Sequence, residues 1–459
     1  MVKGFGYSES EIGPRAGLIT SAFFIVQIFA TPLWCIISNR VGRKPCLIFG
    51  LFGTAIAMIF FGSSQSLAMA IISRSLCGLL NGNLAVARTM VGELAEVTRV
   101  ERGTAFSLFG FSVGIGWMVG PFIGGSLANP AENLGWAGPN GLFVEYPFLL
   151  PCLFITLYNT VVGSVSLWFL DETSTLTQEY ALEQSMETEE ASETSSLLGH
   201  SGHQPSYTRL VVIEDTLSTL PKPLQLRRAQ ALLLISSAFY FIHIIFFDEL
   251  YALFTASSMK RGIGLSFQPP QIAHSLAFAG PAMISALIGF PRLHGRFSSL
   301  PLYRTAGIIF IFLYPLFSFL PKLAQAASVH SSLLLWIPLV GLIIPRYASM
   351  VIALASLQIM VNDFVRPKDR ALMNGLAQSV GSLARAIGPS LGGFTWSWSL
   401  GNGLKAPFDF HINFILLAVV AAGQILTTWS LPSQDQIDTE HKRWVLEDKL
   451  KAQQEDLSA

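Results

Sequence analysis

The sequence predicts an all-α protein that crosses a membrane many times, arranged as two pseudo-symmetric helical bundles. Three observations carry that prediction. Only 13% of the residues are charged and 51% are apolar, whereas soluble globular chains run about 25% charged. Eleven apolar runs approach the ~20 residues a helix needs to cross a bilayer. One arginine–glycine–proline pattern occurs twice at the same spacing. The weak ten-residue alternation of a membrane barrel is not visible. A formal net charge of zero gives no electrostatic footprint for nucleic acid.

The runs are 17–38, 46–62, 67–91, 105–127, 147–170, 231–254, 272–290, 305–320, 333–360, 371–398 and 410–431. The runs 46–62 and 305–320 are short and are expected to extend into their loops. Gly and Pro are frequent within the runs, and membrane helices tolerate them because neighbours re-satisfy the freed backbone groups. Phe outnumbers Tyr by 34 to 10, a bias that suits a lipid-facing surface. Residues 1–15 are polar and do not read as a signal peptide. Cys35, Cys46, Cys77 and Cys152 lie in or beside apolar runs and read as small buried hydrophobes.

Residues 171–230 form the one long polar segment. The stretch 173–206 is rich in Glu, Ser and Thr and is expected to be a disordered linker. His200 and His203 fall within it, but two histidines in a polar loop do not make a zinc site; no metal is expected. The linker divides the chain into a five-span bundle, 1–170, and a six-span bundle, 231–431, followed by a tail, 432–459. Nineteen Lys and Arg lie in loops 39–45, 92–104, 171–230, 291–304, 361–370 and the tail, against six on the other side. That bias places the linker and the tail in the cytoplasm and loop 128–146 outside.

Arg102 is followed by Gly120-Pro121 and Gly124-Gly125; Arg370 is followed at equal spacing by Gly388-Pro389 and Gly392-Gly393. Equal spacing points to parallel internal repeats. Gly42-Arg43 also aligns with Gly295-Arg296. That offset places the counterpart of span 231–254 before Met1. The expectation is a twelve-helix architecture whose first helix is absent from this sequence; a truncated sequence and a true eleven-helix protein both stay open.

The loop NRVGRKP, 39–45, resembles the cytoplasmic loop signature of the major facilitator superfamily, with Asn39 where that family usually has Asp. Gly42 permits a tight turn, and Arg43 and Lys44 are the loop's cations. In the family this loop gates the cytoplasmic side. The resemblance places Arg43 against Glu93 or Glu96. Residues 74–82, RSLCGLLNG, look like its fourth-helix element, and 110–125, GFSVGIGWMVGPFIGG, are similar to the G-x-x-x-G-P-x-x-G-G element of proton-coupled antiporters. The stretches LCGLLNGNLAVARTMVGELAE and NDFVRPKDRALMNGLAQSVGSLARAIGPSLGG look like the fungal and plant zinc-induced facilitator-like branch of the drug:proton antiporters. The likeness covers nearly the whole chain outside the linker. It implies a secondary transporter with a central cavity and alternating access.

The residues supply candidates for that path. Arg74, Gly78, Asn81, Ala85, Arg88 and Gly92 fall on one stripe of a continuous helix. A cation at membrane depth is costly unless it faces a cavity or a partner, so Arg74 and Asn81 are expected on the path. Arg88, nearer the cytoplasmic end, is expected to snorkel. Asp248 and Glu249 are candidate proton carriers, because the proton affinity of a carboxyl group inside a span responds to burial and neighbouring charge. At about 1.5 Å per residue, Asp248 and Arg74 are both roughly 10 Å deep, so Asp248 or Glu249 is expected to pair with Arg74. The competing reading is that both acids snorkel outward. Arg346, after Pro345, is a cavity candidate that could satisfy carbonyls freed by a kink. Arg385 is a further cation within a span, and His243 reads as structural. Gly116, Gly120, Pro121, Gly124 and Gly125, with Gly388, Pro389, Gly392 and Gly393, read as close-packing elements.

Taken together, these readings anticipate proton-coupled export of a small organic molecule by a monomer in the plasma or vacuolar membrane. An uptake or facilitative carrier, and a truncated non-transporting paralogue or sensor, are the alternatives. No nucleophile–base set or G-x-x-x-x-G-K-[ST] loop is present in the sequence, so neither an enzyme nor a cofactor is expected.

Overall fold

The computed structural model describes residues 9–133, 135–136, 138–173, 216–221, 226–267, 269–327 and 333–458. Among them there is helix and loop but no strand. In chain order the main helices are α1 Glu9–Val41, α2 Arg43–Gly62, α3 Leu67–Leu80, α4 Asn83–Val97, α5 Arg102–Ser126 and α6 Leu149–Phe169. They continue with α7 Leu226–Ala256, α8 Pro269–Ala277, α9 Ala279–Phe297, α10 Ser299–Phe317 and α11 Leu320–Ala327. The last are α12 Leu333–Asp363, α13 Arg370–Gly401, α14 His411–Thr428 and α15 Gln434–Ser458.

Nine stretches of described helix are long and apolar enough to cross a membrane. Helices α5 and α13, of 25 and 32 residues, pack among them. Asn374, Gln378, Ser379, Ser382 and Arg385 make α13 more polar, and most of these residues are buried at helix contacts. The run 67–91 is not one helix. α3 ends at Leu80 and α4 begins at Asn83, and a Cβ on Gly82 between them would meet Trp34 at 2.4 Å. The break lets the chain pass close to α1, and it divides the polar stripe expected over this run.

The first group, α1–α6, meets the second, α7–α14, along two seams, α1 on α13 and α5 on α9. In lipid, helices gain little from the hydrophobic effect and are held by close packing and hydrogen bonds; both occur here. A Cβ on Gly375 would meet Cys35 Sγ at 2.9 Å. Ser379 Oγ donates to Ile28 O at 2.6 Å, and Ser382 Oγ to Gln27 Oε1 at 2.7 Å. The second group has an aromatic core of Tyr240, Phe247, Tyr303, Phe310, Tyr314 and Phe317. His243 ties it together: Nδ1 lies 2.7 Å from Tyr314 Oη and Nε2 lies 2.8 Å from Gln424 Oε1. Phe29, Ile72, Leu157, Trp168, Phe312 and Leu426 face outward, as a lipid surface requires.

The repeated glycine element sits in two different surroundings. A Cβ on Gly388 would meet Ile245 of α7 at 2.6 Å, and one on Gly392 would meet Phe246 and Glu249 at 3.2 Å. At Gly116, Gly120 and Gly124 of α5, and at Gly393 of α13, it would meet nothing within 4 Å among the described residues. Pro389 lies inside α13. Pro121 and Gly125 lie within α5. Most of the expected linker, including His200 and His203, lies outside the described residues. The tail forms α15, which docks on the loop between α12 and α13: His441 Nε2 lies 2.7 Å from Asp363 O, Arg366 pairs with Glu447, and Trp444 is buried.

Candidate functional site

A cavity of about 610 Å³ opens between the two groups. Helices α1 and α4 supply Phe24, Gln27 and Arg88 to its wall, and α7 and α13 supply Asp248, Gln378 and Arg385. It is a mostly apolar chamber with a few convergent polar groups, the usual character of a small-molecule site.

One charge pair lies within the second group. Pro345 lies inside α12, and the next residue, Arg346, is 0% exposed. Its guanidinium donates to Asp248 Oδ1 at 2.9 Å and to Ile244 O at 3.1 Å, both on α7. It also lies 4.4 Å from the Phe247 ring and 4.3 Å from the Tyr347 ring. The arginine thus satisfies a carbonyl of α7 rather than one on its own helix. The Asp248 side chain is 45% exposed and lines the cavity. It faces the cavity on one side and Arg346 on the other.

Arg74 does not join this pair. Its guanidinium is held 4.9 Å from the Phe23 ring and 5.1 Å from the Phe61 ring, on the face of α3 that meets α1 and α2. Because the helix breaks after Leu80, the stripe does not carry Arg74 round to the cavity. Asn81 lines the cavity and accepts from Gln27 Nε2 through its backbone oxygen at 3.3 Å. Glu249, one residue and about 100° beyond Asp248, packs on Gly392 of α13 instead. Arg88 does not snorkel. It is 7% exposed and donates to Gln378 Oε1 across the seam at 3.1 Å. Arg385 lines the same cavity, 5.2 Å from the Phe24 ring.

A second constellation closes the end that carries the basic loops. Gly42 has φ 106°, open to glycine and strained for other residues. A Cβ there would meet Glu172 at 2.5 Å. The Glu172 carboxylate accepts from the backbone N–H of Arg43 at 2.8 Å and of Lys44 at 2.9 Å. It therefore sits on the positive end of α2, where an anion is favoured. Of the two acids expected near Arg43, Glu93 receives it, at 3.0 Å. Glu93 also accepts from Thr173 Oγ1 at 2.6 Å. Asn39 Oδ1 accepts from Arg43, and Asn39 Nδ2 donates to Lys368 O at 3.4 Å across the seam. Arg102 pairs with Asp363, and Arg370 pairs with Glu96. The two repeat-related arginines each start a helix in one group and reach an acid ending a helix in the other. The groups are therefore joined at this end. Glu172 and Thr173 gave no sequence signal, because polar residues after a span are commonplace.

Comparison with known proteins agrees with this architecture. The sequence model of the family described as Major Facilitator Superfamily matches residues 1–389. The major facilitator superfamily multidrug transporter mfsB of Aspergillus fumigatus is 27% identical over 504 aligned residues, covering 96% of this chain and 80% of the relative. Protein ZINC INDUCED FACILITATOR 1 of Arabidopsis thaliana is 29% identical over 455, covering 93% and 85%. Among solved structures, the human organic anion transporter MFSD10 superposes with a TM-score of 0.58 at 18% identity, covering 93% of this chain and 87% of that one; at that identity the likeness shows the fold alone. A family match across most of the length, on helices enclosing a central cavity, supports one conclusion: the chain belongs to the major facilitator superfamily, a family of membrane transporters.

Proposed function

We propose that this chain is a proton-coupled secondary transporter that exports a small organic molecule by alternating access between two helical bundles. Asp248 and Arg346 are its coupling pair. One observation carries the reading: a carboxylate open to the central cavity is ion-paired to a fully buried arginine on a second helix. An exchanger needs a group whose proton affinity changes between its two states. A guanidinium that touches the carboxylate in one state and withdraws in the other provides this, since proton affinity follows neighbouring charge. The closed seam at the basic-loop end supplies the complementary element, a gate of reciprocal ion pairs that opens when the cavity turns to the other side. The name of the A. fumigatus relative supports a small organic cargo.

The test uses proteoliposomes and fluorescent solutes of each charge, anionic fluorescein, neutral Nile red and cationic ethidium. At least one is carried when a pH gradient is imposed. Asp248→Asn abolishes the response to the gradient while equilibrium exchange of that solute persists. Transport of none of the three, or an unchanged gradient response in the variant, overturns the reading.

A further inference from the structure

The cavity holds two cations that the proposed coupling chemistry does not use. Arg88 lies on α4 in the first group and Arg385 on α13 in the second, and both line the chamber that Asp248 faces. Arg88 donates one hydrogen bond to Gln378. Arg385 donates one to Ser382 Oγ at 3.3 Å. The buried Nε of each has no hydrogen-bond partner. Among the described residues, neither lies within ion-pair distance of a carboxylate, and the acid in the chamber wall is already engaged by Arg346. Two guanidiniums line one chamber whose acid, Asp248, is taken by Arg346, so neither has a counter-charge of its own and they repel each other.

We infer that Arg88 and Arg385 form a seat for the carboxylate of an organic anion, which bridges the two groups of helices. The guanidinium fork suits a carboxylate, and charge-assisted hydrogen bonds are the strong ones. The rest of the chamber fixes the remainder of the ligand. Phe24, Phe241, Leu47 and Leu354 add apolar surface to the chamber lining, so the anion carries an aromatic or hydrocarbon body. The volume of about 610 Å³ admits a drug-sized molecule. Because the arginines come from opposite sides of the seam, the bound carboxylate supplies the missing counter-charge only while the groups are in the present arrangement. Substrate then stabilises this state over one in which the arginines separate.

The seat rests on the transport reading for its setting, but it is tested without transport. Binding is measured to the purified full chain in lipid nanodiscs, at one pH and with no gradient, using 2-naphthoate, its neutral amide and 2-naphthylmethylammonium. The naphthoate binds at least tenfold more tightly than either of the other two. Arg88→Gln and Arg385→Gln each weaken naphthoate binding at least tenfold and leave the amide unaffected, while Arg→Lys at either position recovers part of the loss. Equal or tighter binding of the amide or the ammonium probe, or no naphthoate binding at millimolar concentration, overturns the seat. The ligand series on the unaltered chain needs no variant to fold. Failure here leaves the gradient response of Asp248 intact, and loss of that response leaves the binding order intact.

Discussion

Substitution of Asp248 by Asn is expected to destabilise the protein more than removal of its partner, although each change breaks the same ion pair. The asymmetry follows from where each charge sits. Arg346 is 0% exposed, so Asp248→Asn leaves a buried guanidinium without its counter-ion. Losing one partner of a buried pair costs about 3–5 kcal/mol. Ile244 O and the Phe247 and Tyr347 rings remain in contact, which places the cost near the lower end, about 3 kcal/mol. Arg346→Met leaves Asp248 behind, but its side chain is 45% exposed to the cavity. Water can solvate that carboxylate, and methionine fills the space of the arginine stem, so the loss is about 1 kcal/mol, as for exposed pairs. The double variant carries neither charge and is expected to be more stable than Asp248→Asn alone, because a buried pair replaced by neutral side chains is often close to neutral. Thermal unfolding of the purified protein, followed by tryptophan fluorescence, ranks the three. An Arg346→Met protein that melts below Asp248→Asn, or a double variant no better than Asp248→Asn, would refute the reasoning.

Two further outcomes follow from the seams. Glu96→Arg places a second cation beside Arg370 and is expected to open the basic-loop end, seen as faster labelling of a cysteine introduced in the cavity wall. The reciprocal exchange, Glu96→Arg with Arg370→Glu, restores slow labelling, and a double variant that labels like the single one removes the pair from the gate. Gly388→Ala forces a Cβ within 2.6 Å of Ile245 and is expected to cost about 1–3 kcal/mol, as overpacking does. Gly120→Ala meets no neighbour among the described residues and is expected to leave the melting temperature within a degree or two. Equal losses would show that the two copies of the element pack alike.

The candidate site was legible only in part. Asp248, Arg346 and Arg385 stood out because an ionised group inside an apolar run is costly and conspicuous in any single span. Which of them meet could not be read the same way. Depth along each span suggested Arg74 for Asp248, since rise per residue is a local property. The rotation of each helix about its axis is not, and Arg346 holds the acid instead. The snorkelling expected of Arg88 failed for a related reason. Its distance from the helix end permitted escape to water, but α4 is packed so that the side chain is enclosed by Gln378 and the cavity wall.

By itself the sequence determined the membrane class, the all-helical fold, the twice-occurring arginine–glycine–proline pattern and the glycine turn at Gly42. Those follow from apolarity, spacing and backbone sterics, which are set by residues close together in the chain. Only the tertiary structure decided that Glu172 caps α2, that Arg102 and Arg370 cross reciprocally to Asp363 and Glu96, and that Gly388 and Gly392 pack against α7 while Gly116, Gly120 and Gly124 meet no neighbour among the described residues. The partners in the ion pairs and in the packed glycine contact are more than 100 residues apart. Their meeting depends on how whole helices dock in lipid, where packing and hydrogen bonds rather than apolarity choose the neighbour.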